Sequence, residues 1–144
     1  MASLAVINAV EARLAALWTP LALCPVIGVN LQAQAPADGS PFLQVQYPIA
    51  NGEQISIGAP GTNVFRETGA IRFVFATQRL AGLQTGLGWC DTLSAIFRGK
   101  KFNANGSANV NTWAPSSPIV DNNNDDGNYW LLSFVVPYYI DVTG

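Results

Sequence analysis

The sequence predicts an α+β domain, with an antiparallel β-sheet of four to five strands, two helices packed on one face, and a long β-arm between strands 2 and 3. Three observations predict it. Two segments place apolar residues at helical spacing, several others alternate in polarity, and runs of strands separate the helical segments. With 144 residues, 49% of them apolar, the chain can bury one core, so we expect a single domain over residues 1–144.

The first helix is predicted over residues 4–18. Leu4, Ile7 and Leu14 recur at helical spacing, and Ser3 is a residue type that favours the N-cap position. Because a residue before proline is displaced from the helical region, the helix should end before Pro20.

Strand-like segments follow this helix. Residues 26–31 form a short β-like run, and residues 42–47 alternate in polarity up to Pro48. Residues 49–63 are rich in turn formers but contain an alternating triplet, Ile55–Ile57, which predicts a projecting arm. Long connections of this kind usually have a function, so we expect the arm to contact a partner; a tolerated surface insertion is the alternative.

The strand predicted over residues 65–77 places Phe73 and Phe75 on its core side and has a half-polar opposite side. After a glycine-rich turn, Cys90, Leu93 and Phe97 lie on one helical stripe, and Gly99 occupies the place of a helix-ending glycine.

Two more strands are expected, over residues 110–114 and 128–142, on either side of a turn-rich stretch. The last strand is apolar on both sides. Such a strand is buried twice, within a central sheet or by a neighbouring subunit.

Charge is the least usual feature of the composition. Only 11% of the residues are Asp, Glu, Lys or Arg, the formal net charge is −2, and there is no histidine. Soluble domains carry roughly 25% charged residues, so we expect other protein to cover much of this surface. Without histidine, a nucleophile activated by a Ser/His or Cys/His pair is excluded. A serine–lysine pair is not supported either, because the sequence does not indicate a lysine placed beside a nucleophilic serine. We therefore expect no enzyme and no catalytic residue.

No cofactor or metal site is predicted. Residues 121–127 alternate oxygen ligands as calcium loops do, but Asp126 and Leu132 replace the glycine and glutamate that such loops need; a solvated turn is the simpler interpretation. The glycines of residues 82–88 lack the lysine of a phosphate loop, and Asn105–Ser107 matches a glycosylation signal by letter only.

The apolar stretch near the N-terminus and the two cysteines bear on the compartment and on the redox state of the protein. No basic segment precedes the apolar stretch of residues 14–29, and Pro20 and Pro25 interrupt it, so neither a secretion signal nor a membrane partner is expected. Cys24 and Cys90 are interpreted as buried free thiols, with a disulfide left open.

Several segments together resemble the small tail terminator-like (tail completion) proteins of tailed bacteriophages, over nearly the whole chain. The similar segments are the opening helix at residues 4–18, Pro41–Val45, Phe65–Ala76, the helix end Asp91–Gly99, and the closing strand Trp130–Tyr138. The long polar arm and the asparagine-rich loops depart from the family pattern.

The resemblance implies a structural protein of virion assembly. Its subunits would form a homo-oligomeric ring, commonly of six, that caps the tail tube protein and joins it to the head-side connector or neck protein. DNA would pass through without sequence-specific binding. We expect such a protein in the tail–neck region of the virion, assembled in the host cytoplasm.

Two groups of interface residues are predicted. Subunit or tube contacts are expected from the arm and from the outer face of the last strand, at Gln54, Ile55, Ile57, Tyr129, Leu131 and Tyr139. The one basic spot is Arg98, Lys100 and Lys101. It either complements a helix dipole or faces the lumen of a ring through which DNA passes.

Other functions stay open at this stage. Another neck, connector or tail tube ring subunit is the nearest alternative. A non-catalytic host-recognition or carbohydrate-binding module is a second, which would use the asparagine-rich loops and an exposed Trp113.

Overall fold

A computed structural model of the chain describes residues 2–27, 40–78, 83–106, 108–120 and 129–144. The elements, in chain order, are α1 (Leu4–Leu17), a 3₁₀ turn (Thr19–Leu21), β1 (Val26–Ile27), β2 (Phe42–Gln54), β3 (Val64–Gln78), α2 (Gln84–Phe97), β4 (Lys101–Phe102), β5 (Val110–Thr112), β6 (Ile119–Val120) and β7 (Tyr129–Thr143).

The sheet is larger than predicted, and it is mixed. Its strand order is β1-β2-β3-β7-β5-β4, with β6 pairing to β7 as a seventh strand. β1 runs parallel to β2, and the other pairs are antiparallel. The α+β class is confirmed, whereas the expectation of four to five wholly antiparallel strands is wrong. β1, β4 and β6 have two residues each, too few to show an alternating pattern.

The sequence predicted a projecting arm over residues 49–63, but the structure shows that this segment begins as a continuation of β2. β2 continues through Pro48 to Gln54, with a shift in register between Gln46 and Ile49. Proline has no backbone N–H and is tolerated at such irregularities. β7 pairs with β3 along its whole length, from Val64 opposite Thr143 to Gln78 opposite Tyr129. From here on, the arm means residues 49–70, which include the start of β3. It forms one end of a long sheet, where β3 pairs with β7.

Both helices pack on the same face of the sheet, as predicted. The sheet contributes a layer of aromatic rings, in which Phe73 lies 4.9 Å from Phe97 of α2 and 5.3 Å from Phe134 of β7, between ring centroids. Trp18, at the end of α1, is fully buried and packs 5.6 Å from Phe75. These contacts lock α1, α2 and the three long strands into one core cluster.

The helix ends follow the sequence signals in part. Gly99 has φ of +57°, the left-handed conformation expected of a glycine that ends a helix. Ser3 occupies the N-cap of α1 with extended backbone, but its side chain does not cap the helix. Two predicted elements are shorter in the structure: the first helix ends at Leu17, and β5 ends at Thr112. The predicted first strand is present at Val26–Ile27, and the rest of it lies outside the described residues.

The outer side of α1 combines exposed apolar residues, such as Leu4 and Leu17, with the polar residues Asn8 and Glu11. By length and composition, Leu4–Leu21 could cross a membrane, and 28% of this stretch is buried in the fold. The buried side packs on the sheet through Val6 and Val10, whereas Leu4 stays exposed. α1 thus carries apolar surface that the described part of the fold leaves uncovered.

Candidate assembly interface

The tip of the arm, residues 55–63, is held in one shape by its own hydrogen bonds. The Ser56 hydroxyl accepts from the Val64 backbone N–H at 2.7 Å, and the Ile55 N–H donates to the Val64 carbonyl at 2.9 Å. The Asn63 amide donates to the carbonyls of Gly58 and Ala59, at 3.3 Å each. A tip braced in this way needs little further ordering when it binds a partner.

Apolar side chains project from this braced tip. Ile57 is 103% exposed, as open as in an extended peptide, and Ile55 is 43% exposed. Phe65, near the start of β3, and Val142, which pairs with it near the end of β7, are also exposed. An apolar group fixed in water by polar bonds is typical of a surface that another molecule covers.

A shallow groove lies beside the arm, next to the start of α1. It has a volume of about 430 Å³, and its lining includes Phe65, Val142 and Gly52 together with the carboxylate of Glu67. The sequence pattern assigned Phe65 to the core with Phe73, because both point to the same side of β3. The helices do not extend over the arm, so Phe65 instead faces solvent.

Glu67 joins the groove to the beginning of α1. Its carboxylate accepts from the Tyr138 hydroxyl at 2.9 Å, from the Ser3 backbone N–H at 3.3 Å and from the Ser3 hydroxyl at 3.4 Å. Burial, followed by the hydrogen bond to Glu67, raises the pKa of Tyr138 above its ordinary value, so this hydroxyl stays a donor. A carboxylate at a helix N-terminus also complements the helix dipole.

Replacing Glu67 with glutamine should therefore lower the free energy of unfolding by about 1 kcal/mol, because the amide is neutral and accepts these bonds less strongly. Urea denaturation of the purified chain measures this loss. Glu53→Gln is the matched control, since Glu53 lies exposed on the neighbouring strand, and we expect it to change stability by less than about 0.5 kcal/mol. Equal losses in the two variants would contradict this role of Glu67.

The face of the sheet opposite the helices carries two aromatic clusters. At one end Phe42 and Tyr129 pack edge to face, with centroids 5.2 Å apart. At the other end Trp113 stacks on Tyr139 at 5.3 Å, and the Arg66 guanidinium lies 4.5 Å from the centre of the Tyr139 ring. These rings are half-buried or exposed, so this face combines apolar area with polar groups at its rim.

Arg66 also forms an ion pair with Asp141 on β7. Two hydrogen bonds join the guanidinium and the carboxylate, at 2.7 and 2.9 Å. The bond to Arg66 holds the pKa of Asp141 below its ordinary value. Both side chains are about one-third exposed, so the pair adds little to stability and mainly orients the Tyr139 ring.

The basic spot lies at the opposite edge of the sheet from the arm. Arg98 follows α2, and Lys100 and Lys101 lead into β4. All three side chains are exposed, and none of them forms an ion pair with another described residue. The Lys100 backbone is fixed by Thr112, whose hydroxyl accepts from the Lys100 N–H at 2.9 Å.

The predicted interface residues fall into separate places. Gln54, Ile55 and Ile57 lie together at the arm. Tyr139 lies on the face of the sheet opposite the helices, in the part of β7 that pairs with the arm. Tyr129 and Leu131 share that face but lie at the far end of β7, with Tyr129 about 34 Å from Tyr139 at 3.4 Å per residue. One small partner cannot contact both ends, although a ring subunit with several neighbours can.

Sequence reasoning did not find the groove residues Phe65, Glu67 and Val142, or the Arg66–Asp141 pair. The run from Arg66 to Gly69 was noted only as part of a resemblance. Its signal was the pair of adjacent charged residues, Arg66 and Glu67, near the start of the strand, which indicates that this end of the strand leaves the core.

The described residues offer little for catalysis. No group of three His, Cys, Asp or Glu side chains in this part of the chain could hold a metal ion. Both cysteines are free thiols. Burial raises the pKa of Cys24 to about 12 and that of Cys90 to about 11, so both are protonated at neutral pH and poor nucleophiles. The asparagine-rich loop at residues 121–128 lies outside the described residues.

The long sheet, the hydrogen-bonded tip with its exposed isoleucines and the aromatic face that carries no helix define a small α+β protein with much exposed apolar surface. The chain belongs to the phage tail terminator protein family, whose model matches residues 5–138. It is therefore a structural component of phage tails, as the sequence resemblance predicted. Among curated proteins, none matches the chain.

Solved structures show the same fold. One of ten matching chains superposes with a TM-score of 0.62, covering 94% of this chain and 95% of the other. The two sequences are 14% identical, so the likeness concerns the fold alone.

Proposed function

We propose that copies of this chain form a closed ring, commonly of six, that caps the end of the phage tail tube and joins it to the head-side connector or neck protein. DNA passes through the ring without sequence-specific contacts. Membership of the tail terminator family supports this role, and so does a surface with few charges and much apolar area.

The observation that carries the proposal is the tip of the arm. Ile57 is fully exposed on a loop that its own hydrogen bonds already shape. A cap must bind the last ring of a tube and then stop growth. Heterologous contacts that close on themselves give a ring of fixed size, and growth along the tube stops when the outer face of that ring does not bind further tube subunits.

A double substitution, Ile55→Asp with Ile57→Asp, should abolish capping while the subunit stays folded. Both side chains are exposed, so the stability change should stay within about 0.5 kcal/mol, whereas two buried carboxylates would oppose binding strongly. Tail length and completion in a reconstituted assembly, read by negative-stain microscopy, measure the effect. Ile119→Asp, at an isoleucine that is exposed outside the arm, is the control. Normal tails from the arm variant would contradict the proposal.

The purified protein also separates this function from that of a tail tube subunit. We expect single rings, alone or on tube ends. Stacked filaments of the purified chain would instead favour a tube subunit, because tube subunits propagate indefinitely.

A further inference from the structure

Along the part of the sheet that contains the arm, the outermost strands are β4 on one side and the arm part of β2 on the other. Hydrogen-bonded rows cross five strands, from β4 through β5, β7 and β3 to the arm. One row joins Lys101, Asn111, Tyr139, Thr68 and Asn51, and the next joins Phe102, Val110, Ile140, Glu67 and Gly52. Lys101 and Asn51 are thus opposite ends of one row.

Both ends are strand edges in the described structure. β4 pairs with β5 on one side, and the arm strand of β2, from Ile49 to Gln54, pairs with β3 on one side. Among the described residues, neither β4 nor the arm part of β2 has a second partner, since β1 pairs with β2 only at Leu43 and Gln44. Unpaired strand edges are ready to associate with another chain.

The two edges carry opposite charge. At the β4 edge, Arg98, Lys100 and Lys101 contribute three positive charges with no described ion pair. On the other side, the arm and the end of β7 paired with it hold three carboxylates and one guanidinium, a local net charge of −2. These are Glu53, Glu67 and Asp141, and Arg66. The exposed carboxylate at the outer edge is that of Glu53.

Strand direction decides how two copies can meet. Four antiparallel pairings separate β2 from β4, so the two edge strands point the same way. A two-fold contact would place β4 against β4 or arm against arm, and would bring like charges together. A head-to-tail contact places β4 of one copy beside the arm of the next, where opposite charges meet.

We propose that the β4 edge of each copy, with Lys100 and Lys101, docks beside Glu53 on the arm of the next copy. This inference rests on the proposed ring and names the surfaces that close it. It assigns the basic spot to a subunit contact rather than to DNA in the lumen. The occupant of the arm edge is therefore a second copy of this chain.

Zero-length carbodiimide crosslinking of the assembled wild-type protein tests this contact directly. The reagent joins an amine to a carboxylate only when the two touch. Within one copy, Lys101 and the arm edge lie four strand spacings apart, about 19 Å, so any link between Lys101 and Glu53 joins two copies. We expect this linked peptide by mass spectrometry, and its loss in Glu53→Gln. Assembled rings without a link from Lys100 or Lys101 to Glu53 would overturn the inference.

Charge exchange provides the second test. Glu53→Lys and Lys101→Glu should each reduce assembly roughly tenfold or more, because each places like charges in contact, and the double variant should restore it. Glu11→Lys, an equal change of charge at an exposed position on α1, should assemble normally. Circular dichroism of each variant checks that the fold is intact.

The outcomes separate this inference from the proposed function. If wild-type protein forms no ring and caps no tube, the proposed function fails and the inference falls with it. If wild-type rings form and Glu53→Lys assembles as well as wild type, only the inference fails. Normal rings of Lys101→Glu that no longer retain DNA would assign the basic spot to the lumen and overturn the subunit contact.

Discussion

Replacing Phe73 with alanine is expected to lower the free energy of unfolding by about 3–5 kcal/mol. Phe73 is fully buried at the centre of β3, and its ring contacts Phe97 and Phe134 from a helix and a neighbouring strand. The loss combines the transfer of the ring from the core with the cavity left between α2 and β7. Since domains of this kind are stable by only about 5–15 kcal/mol, the variant should lie near the limit of folding.

Phe65→Ala is the matched control for this prediction. Phe65 points to the same side of the same strand, but 42% of it is exposed because no helix covers the arm. We expect a loss below about 1 kcal/mol, since little buried area is removed. Chemical denaturation of both variants, compared at equal slope, measures the difference. Similar losses at the two positions would show that the arm is packed as tightly as the core.

Replacing Gly69 with alanine is expected to cost about 1–3 kcal/mol, which is large for the addition of one methyl group. A Cβ atom at Gly69 would lie 2.3 Å from the carbonyl oxygen of Ile49 and 2.8 Å from the hydroxyl of Tyr138. The carbonyl belongs to the backbone next to the irregularity in β2, so it cannot move without breaking the ladder there. The thermal midpoint should fall by about 4 °C for each kcal/mol.

Gly52→Ala provides the control in the same arm. No atom lies within 4 Å of the position that its Cβ would take. We expect a change within about 0.5 kcal/mol, and a small gain is consistent with lower entropy of the unfolded chain. An unchanged melting curve for Gly69→Ala would mean that β2 and β3 are farther apart at this point than described.

Sequence patterns located the long elements well. The alternation in β3 and β7 and the stripe of Cys90, Leu93 and Phe97 each reflect one buried face, and these elements lie where expected. β4 and β6 could not be predicted, because two residues carry no period, whereas β1 lies within the predicted run of residues 26–31. Pro48 predicted the end of a strand, but β2 continues through it. The register shift between Gln46 and Ile49 accommodates a residue that cannot donate a backbone hydrogen bond.

The candidate interface was predictable only in part. The turn-forming residues on both sides of Ile55 and Ile57 indicated a projecting segment, because they surround a short alternating triplet within a long connection. The exposure of Phe65 could not be inferred, since it depends on where the helices stop over the sheet. The distance between Tyr129 and Tyr139 likewise depends on β7 being one continuous strand of fifteen residues.

The sequence by itself determined the α+β class through its periodic polarity, and its segments resembled the family that the match over residues 5–138 then showed. The low charge and the absence of histidine gave only the expectation of a structural protein that associates with other protein. Only the tertiary structure decided which surfaces are available for that association. Pairing brings Lys101 and Asn51 to opposite edges of one row although fifty residues separate them in the chain. Local sequence specifies which side chains share a face, whereas the order of strands in a sheet is fixed by long-range packing, which no short pattern encodes.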